Sequence, residues 1–503
     1  MLCNMLGNKE SVMTNLNQRN KIWAILVFCA AAVTTAPAQT VTTLASFNKT
    51  DGRDPGYPAA PLVQGTNGNF YGTTAAGGAS DEGTVFAITP AGRLRTLYSF
   101  CSQASCSDGA IANAGLLQST DGNFYGTTAL GGTNNFGTAF KITPAGGLTT
   151  IYRFCSQPGC ADGTDPAAGL LQVFNDTFYG TTFNAGASGN GTVFQMSQAG
   201  TLTTLASFDG ADGTGPDFGS LIRPLTGNFY GTTIAGGSNA NGYCTAENGC
   251  GTVFVITPSG QLTSLYSFCS QPNCADGQEV FGGLVQGLNH NFYGTTTLGG
   301  ANGYGTVFEV SPTGTLKTLH NFNLSDGAYP EAALVLGTDR NFYGTTSSGG
   351  TSGSGGTIFQ ITPAGQLTTL YSFCSQPNCS DGTGPFSSLI QATNGNFYGA
   401  TFAGGTSKNC IGGCGTIFSL SMGLAPFIET RLTAGKVNDH VTILGNNLTG
   451  TSGVLFNGHA AQYDVVSDTE IQTTVPSGAT DGFVTVTTLK GKLTSNQPFI
   501  VVP

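Results

Sequence analysis

Charge is scarce in this sequence. Asp, Glu, Lys and Arg make up only 9 % of 503 residues, and 27 acids against 17 bases leave a net charge of −10. Nucleic acid and anionic membrane surfaces are held mainly by basic patches, so neither is expected as a partner. Histidine is nearly absent too, with four residues, and tryptophan is limited to Trp23. His290 falls in a turn, His320 takes the place of a repeated tyrosine, and His440 and His459 lie near the C-terminus. With no Gly-x-Ser-x-Gly elbow beside them, a nucleophilic triad has little to be built from. The missing Trp also weakens a carbohydrate-module reading without removing it. What is abundant is glycine, 76 residues, with 33 Phe and 16 Tyr. That many aromatics argue against disorder, and Gly with Thr argues for β structure with tight turns.

Long apolar runs are missing as well. The run Ile22–Val33 has twelve residues, too short to span a bilayer comfortably. It follows Lys9, Arg19 and Lys21 and precedes Ala36-Pro37-Ala38. Residues 1–38 therefore read as a secretory signal cleaved before Gln39, with no membrane span afterwards. Cys29 is a poor lipoprotein cysteine, because Phe28 before it is bulky and Ala30–Val33 after it is still apolar. Beyond residue 38 twelve cysteines remain, in six close pairs: Cys101/Cys106, Cys155/Cys160, Cys244/Cys250, Cys269/Cys274, Cys374/Cys379 and Cys410/Cys414. An even number in local pairs behind a signal segment predicts disulfides. Zinc would need about four converging ligands, and these pairs stand in separate repeats without nearby His. Bridges over so few residues staple loops and add little global stability.

Repetition organises the rest. FYGT or FYGA recurs seven times, with its tyrosine at Tyr71, Tyr125, Tyr179, Tyr230, Tyr293, Tyr343 and Tyr398, 50 to 63 residues apart. GTVF-like strings end at Phe86, Phe140, Phe194, Phe254, Phe308, Phe359 and Phe418. LTTLYSF-like strings end at Phe47, Phe100, Phe154, Phe208, Phe268, Phe322 and Phe373, and LVQ-like strings start at Leu62, Leu116, Leu170, Leu221, Leu284, Leu334 and Leu389. Each string is β-branched or aromatic and bounded by turn residues such as Asn67-Gly68 or Pro90-Ala91-Gly92. Each repeat thus reads as a four-strand meander, LVQ, FYGTT, GTVF, LYSF, and a longer stretch crosses to the next sheet. Meanders repeated radially make a β-propeller. The array begins with an isolated VTTLASF, Val41–Phe47, and its last repeat, Leu389–Ser421, lacks a fourth strand. The N-terminal strand is therefore expected to complete the seventh blade and close the ring, hiding sheet edges. A linear solenoid would not need this complementary truncation. The strings FYGTT, GG, GTVF, ITPAG and LTTLYSF resemble the GloVer tandem repeat of secreted or surface bacterial proteins over residues 41–421. The resemblance implies a propeller and secretion, and no activity.

After Ser421 the repeat stops. VTILG from Val441, GVLFNG from Gly453, EIQTTVP from Glu470, GFVTVTT from Gly482 and PFIVVP from Pro498 read as strands of an Ig-like sandwich. Val441–Gly445, Val454–Ala460 and Ser467-Asp468-Thr469 leading into Val475–Ala479 resemble the IPT/TIG family, with Asn457-Gly458 where that family often has two glycines. The resemblance implies a spacer or binding module, since the acidic balance excludes the DNA-binding role of the transcription-factor members. The expected class is all-β: a seven-bladed β-propeller over 41–424 closed by the N-terminal strand, then an Ig-like β-sandwich over 425–503.

Two tight turns per blade fall on one face, and the variable Gly-rich and blade-crossing loops on the other, where binding usually resides. Each crossing loop holds an Asp-Gly, at Asp51, Asp108, Asp162, Asp212, Asp276, Asp326 and Asp381. One Asp per loop suits a turn better than calcium, which takes six to eight oxygens. Asp209, Asp212 and Asp217 form the best single calcium candidate. Asp54, Asp165, Asp217, Glu279 and Glu331 break the repeat pattern in the crossing loops and are candidates for ligand contact, or for a glycosidase carboxylate pair, against the plainer reading of solvated loop charges. The innermost strands supply Gln64, Gln118, Gln172, Gln286 and Gln391, with Leu336 and Arg223 breaking that series, and Arg223, the one irregular cation there, joins the candidates for ligand contact. These amides either line a channel or satisfy edge backbone groups. No cofactor motif is present. The reading is a secreted or envelope protein of non-enzymatic, adhesion-type binding role, its partner an extracellular protein or glycan. The rivals are a propeller glycoside hydrolase or polysaccharide lyase, and a purely structural surface protein. An acid cluster in a cleft with one raised pKa separates the first two.

Overall fold

In the computed structural model of the chain, residues 39–502 are described except 56–59, 174–175, 217, 225–226, 239–248 and 352. The signal segment expected over 1–38, Asp217 and Cys244 lie outside the described residues. The described chain is all β apart from four single turns of 3-10 helix at Ala104–Cys106, Pro158–Cys160, Pro272–Cys274 and Pro377–Cys379.

The first repeat forms an antiparallel sheet from Val63–Gln64, Phe70–Ala76, Thr84–Ile88 and Leu94–Ser99, in that order. Among the described residues six more sheets of the same plan follow as far as Ser421, so the repeated region holds seven. In the fourth, the first strand shrinks to a single bridge, Ile222 to Tyr230. The last sheet borrows its outer strand from the other end of the chain: Thr40–Ser46 pairs antiparallel with Thr416–Ser421. The bond network of FYGTT explains its recurrence. Gly72 lies opposite Phe86, and a Cβ there would meet the Phe86 ring at 2.6 Å and Leu62 at 2.9 Å, so glycine is the residue that admits both. Thr74 Oγ1 and Thr84 Oγ1 lie 2.9 Å apart across the two strands, a buried hydroxyl pair repeated through Thr401 and Thr416 in the last sheet.

Sheets are joined face to face by aromatic side chains. Tyr71 packs on Phe124 of the next repeat at 4.0 Å between centroids, and Tyr125 on Phe178 at 4.4 Å. The series continues to Tyr343 on Phe397 at 4.1 Å and returns to its start with Tyr398 on Phe70, also at 4.1 Å. A second series sets the fourth-strand Phe of one sheet edge-on to the third-strand Phe of the next, as in Phe100 and Phe140 at 5.2 Å, and Phe47 with Phe86 at 5.1 Å closes it. The repeats therefore form a closed, propeller-like ring.

The crossing loops turn on the Asp of their Asp-Gly. Asp162 is fully buried and accepts hydrogen bonds from the Tyr152 hydroxyl at 2.8 Å, Ser156 N at 2.9 Å, Ser156 Oγ at 3.1 Å and Gln157 N at 3.1 Å. Asp108, Asp276 and Asp381 repeat this set. Where His320 replaces the tyrosine, its Nε2 takes the same place, 2.9 Å from Asp326. Disulfides Cys101–Cys106, Cys155–Cys160, Cys269–Cys274 and Cys374–Cys379 clip the same loops, and Cys410–Cys414 clips the last Gly-rich loop. Cys250 is disulfide-bonded as well.

The C-terminal segment is a β-sandwich. One sheet holds Glu429–Thr430, His440–Leu444, Glu470–Thr474 and Tyr463–Ser467; the other centres on Gly453–Phe456, Gly482–Thr488 and Gly491–Val501. Ile443, Phe456, Ile471, Val484 and Phe499 fill the space between. The edge strand Tyr463–Ser467 escaped the sequence reading because Asp464 and a mostly exposed face blur its alternation. Sandwich and ring belong to one compact unit. Arg431, almost wholly buried, donates to the Gln64 carbonyl and, at 3.0 Å, to Gln118 Oε1, both on first strands of the ring. Thr469 donates to the Thr66 carbonyl at 2.6 Å, and Phe427 N to the Thr393 carbonyl at 3.0 Å.

Two outcomes follow. Tyr398→Ala removes the last contact of the ring and is expected to lower stability by about 3–5 kcal/mol, while Leu489→Ala on the exposed sandwich surface changes it by less than about 0.5 kcal/mol, both read by chemical denaturation. Arg431→Ala strips the buried interface of its charged hydrogen bonds, and limited proteolysis is expected to cut residues 421–427 several-fold faster than in the parent protein.

Candidate functional site

Each repeat sets the same backbone, so chemistry particular to this protein must sit where the copies differ. Three rings of side chains on the loop face do. The first comprises the residue two after each Asp-Gly. Asp54, Ile111, Asp165, Gly215, Glu279, Tyr329 and Gly384 occupy it, all left-handed, with φ between 55° and 63°. Two hydrogen bonds hold that conformation. Glu279 N donates to the Cys250 carbonyl of the preceding sheet at 2.9 Å, and Thr297 N donates to the Glu279 carbonyl at 2.8 Å. Glycine suits this backbone best, yet five of the seven residues are not glycine, at a cost of about 1 kcal/mol each.

The second ring lies nearer the axis. Small pairs precede the first strands, as in Ala114-Gly115, Gly219-Ser220, Gly282-Gly283 and Ala332-Ala333. A Cβ on Gly219 would fall 2.8 Å from the Gly283 backbone, and one on Gly282 2.7 Å from that of Ala332. Neighbouring sheets approach this closely only because those residues are small. The side chain just before each pair is Asn113, Ala167, Phe218, Phe281, Glu331 and Phe386 in the second to seventh sheets. The ring is lopsided: large side chains come from the fourth to seventh sheets and smaller ones from the second and third. Phe218 and Phe281 lie nearly parallel, 7° apart with centroids 6.1 Å apart. Phe386 stands edge-on to Phe402, at 5.4 Å, from the third ring that follows FYGTT. All four rings are half-buried and outside the hydrophobic clusters that join the sheets.

Glu331 sits among these groups and accepts a hydrogen bond from Ser347 Oγ at 3.1 Å. Burial pushes its carboxyl up to about 7; the Ser347 bond opposes this and the charge of Glu279 adds to it. Burial also raises Glu279. Asn113 Oδ1, at the same ring position as Glu331, is buried without a hydrogen-bond partner. The remaining acids do not join this pair. Asp54 is tied to Arg53 at 3.0 Å, and Asp165 accepts from Asn184 Nδ2 at 2.8 Å. The pattern-breaking acids were candidates for convergence; the described ones come together only at Glu279 and Glu331, because Asp54 and Asp165 are taken up by Arg53 and Asn184.

Asp209 and Asp212 face each other across a turn in which Asp209 N donates to Asp212 Oδ1 at 2.9 Å and Asp212 N to Asp209 Oδ1 at 3.1 Å. Burial lifts Asp212 to about 6, with the Asp209 charge adding to it. The third calcium candidate, Asp217, is outside the described residues. Among the described residues the metal-capable cluster is sulfur: Sγ atoms of Cys250, Cys269 and Cys274 lie within 4.8 Å of one another. All three are oxidised, so they offer no thiolate for zinc.

The amides of the first strands bind sheet to sheet. Gln118 Oε1 accepts from Thr66 N at 2.9 Å, Gln391 Oε1 from Thr338 N at 2.9 Å and Gln64 Oε1 from Thr393 N at 3.0 Å. Arg223 lies on the turn side, where its Nε donates to the Gly227 carbonyl at 3.0 Å and its guanidinium rides 5.4 Å above Phe229. It borders a cleft of about 210 Å³ shared with Leu432 and Ile500 of the sandwich. The side chains the sequence reading missed are Asn113, Phe218, Phe281 and Phe386. The signal was available: they fill one aligned column before the small pair and the first-strand Leu.

The Gloeobacter/Verrucomicrobia repeat family model matches residues 31–160 and 243–459, and the IPT/TIG domain model matches 426–500. No curated protein matches the chain. Among solved structures, the extracellular domain of a hybrid two-component system from B. thetaiotaomicron is similar at 11 % identity and TM-score 0.47, covering 91 % of this chain and 58 % of that one. The periplasmic gluconolactonase of Pseudomonas aeruginosa is similar at 14 % identity and TM-score 0.41, covering 62 % and 84 %. The PQQ-bound aldose sugar dehydrogenase of Streptomyces coelicolor is similar at 12 % identity and TM-score 0.38, covering 76 % and 98 %. Likeness at this level transfers no activity.

Two measurements probe the site. A carboxyl raised in the folded state gives stability that is fully present below the unfolded pKa and lost as pH rises through the folded one. Stability should therefore fall by about 2–3 kcal/mol between pH 4.5 and 8, and Glu331→Gln should remove most of that slope. Glu279→Gly relieves a left-handed residue and is expected to leave the fold intact or stabilise it by about 1 kcal/mol in chemical denaturation.

Proposed function

The chain belongs to the Gloeobacter/Verrucomicrobia repeat family, with an IPT/TIG domain at its C-terminal end, and from that premise we propose that it is an extracytoplasmic, non-enzymatic binding scaffold. In this reading the ring is a seven-bladed β-propeller over 41–424 and the sandwich over 425–503 is its docked accessory domain. The ligand is a glycan or protein met on the loop-rich face. One observation carries the proposal: the two faces are used differently. On the turn face, Arg431, Thr469 and Phe427 seat the sandwich against first strands and first turns of the ring. On the loop face, non-glycine residues occupy left-handed positions and half-buried rings stand apart from the core. A purely structural ring would have no use for either. The disulfides fit an oxidising compartment, in line with the secretory reading of residues 1–38.

A second reading has one observation in its favour. Glu331, kept neutral near pH 6 beside Glu279, is the arrangement in which one carboxyl acts as general acid and another as base or nucleophile in glycoside hydrolysis. Binding of the purified protein to a glycan and polysaccharide array, with and without Ca²⁺ and with product analysis of each hit, separates the two. Retention without cleavage is the expected result. Cleavage that Glu331→Gln or Glu279→Gln abolishes would replace the scaffold by the hydrolase. Calcium-dependent retention would bring the loop of Asp209 and Asp212 into the site.

A further inference from the structure

We infer that the loop-side mouth of the ring is a binding site for a neutral hexose unit of a glycan, with Phe218 and Phe281 as stacking rings and Glu331, held by Ser347, as the polar contact. The inference rests on the loop-face reading above and narrows it to one place and one ligand chemistry. A pyranose has an apolar face of C–H groups and a rim of hydroxyls. It is bound by an aromatic face together with a few hydrogen-bonding groups at its rim.

The mouth holds both in adjacent sheets. The Phe218 and Phe281 rings come from neighbouring repeats and stack on each other, within 7° of parallel and 6.1 Å apart between centroids, instead of filling the joint between sheets. That joint is already filled by Tyr230 against Phe292 at 4.3 Å and by Phe268 against Phe308 at 5.1 Å. The two Phe residues therefore add nothing that the ring needs to close. Next to Phe281 in the ring comes Glu331, whose Oε1 accepts a hydrogen bond from Ser347 Oγ at 3.1 Å. Glu279 lies close enough for its charge to raise Glu331. The acidic balance of the chain, 27 acids against 17 bases, disfavours phosphate, sulfate and uronate, and half-buried rings are out of reach of a flat protein surface. A neutral sugar meets neither objection.

The test is calorimetric titration of the purified protein with neutral oligosaccharides, namely cello-, laminari-, malto- and xylohexaose, with oligogalacturonate as the acidic control. At least one neutral hexamer is expected to bind and oligogalacturonate is not. Phe281→Ala should weaken binding at least tenfold and Glu331→Gln about threefold or more, with circular dichroism and melting temperature showing that both variants fold. Arg223→Ala, on the other face, should bind as the parent does. The site is overturned if no neutral hexamer binds, if oligogalacturonate binds better, or if folded Phe281→Ala binds as tightly as the parent. Retention of other array ligands in that case would leave the scaffold standing and only this site lost.

Discussion

The structure depends on one contact made seven times: the tyrosine of each FYGTT against the phenylalanine of the next. Each joint places the rings 4.0 to 4.4 Å apart, and the last, Tyr398 on Phe70, makes the series circular. A stacked aromatic pair contributes about 0.5–1.5 kcal/mol beyond its buried area. Seven joints therefore set both the order of the sheets and their spacing. The edge-on Phe pairs and the first-strand amides repeat the same logic outside and inside that circle. Closure adds a requirement of its own. The outer strand of the seventh sheet is the first segment of the ring in sequence, so neither end of the array leaves an open edge.

Much of this was legible because it repeats. A short β string is ambiguous once and informative seven times, and the missing fourth strand after Ser421 together with the spare one at Val41 identified the closing pair before any coordinates. The Asp-Gly carboxylates were likewise recognisable as turn-formers, and Asp162 shows why: four donors from its own loop surround it. The site was less legible, for a physical reason. Acids attract notice in a chain with 9 % charged residues, so Asp54 and Asp165 drew the same weight as Glu279 and Glu331. Sequence cannot show that Arg53 and Asn184 already answer the first two. Nor does a Phe in a chain with 33 of them look exceptional, although Phe281 stands apart from every sheet joint. The turn-side cap was equally hidden. Nothing around Arg431 in sequence says that its partners are Gln64 and Gln118, more than 300 residues away.

The cap changes the meaning of the amide ring. Read alone, a circle of glutamines suggests a channel for a polar ligand. In the structure Gln64 and Gln118 spend their oxygens on the neighbouring sheet, and Arg431 takes up capacity that remains. A guanidinium so buried is tolerable only with such partners, since burial works against its charge while Glu429, 3.6 Å away, and Glu470 support it. The turn side is thus given over to holding two domains together.

That division gives the irregular residues of the loop side their weight. Where a repeat fixes the backbone, selection for stability alone drives each position toward the residue best suited to that conformation. At the left-handed position of the crossing loops that residue is glycine, and Gly215 and Gly384 show that the fold accepts it. Asp54, Ile111, Asp165, Glu279 and Tyr329 hold the same angles at a cost of about 1 kcal/mol each. Asp54 and Asp165 offset that cost through Arg53 and Asn184. Burial works against the charge of Glu279, and that charge pushes Glu331 further toward its neutral form. A residue strained in its backbone, disfavoured in its charge and set beside a second acid lowers the stability of the free protein. Stability does not explain its presence; the ligand proposed at the mouth would.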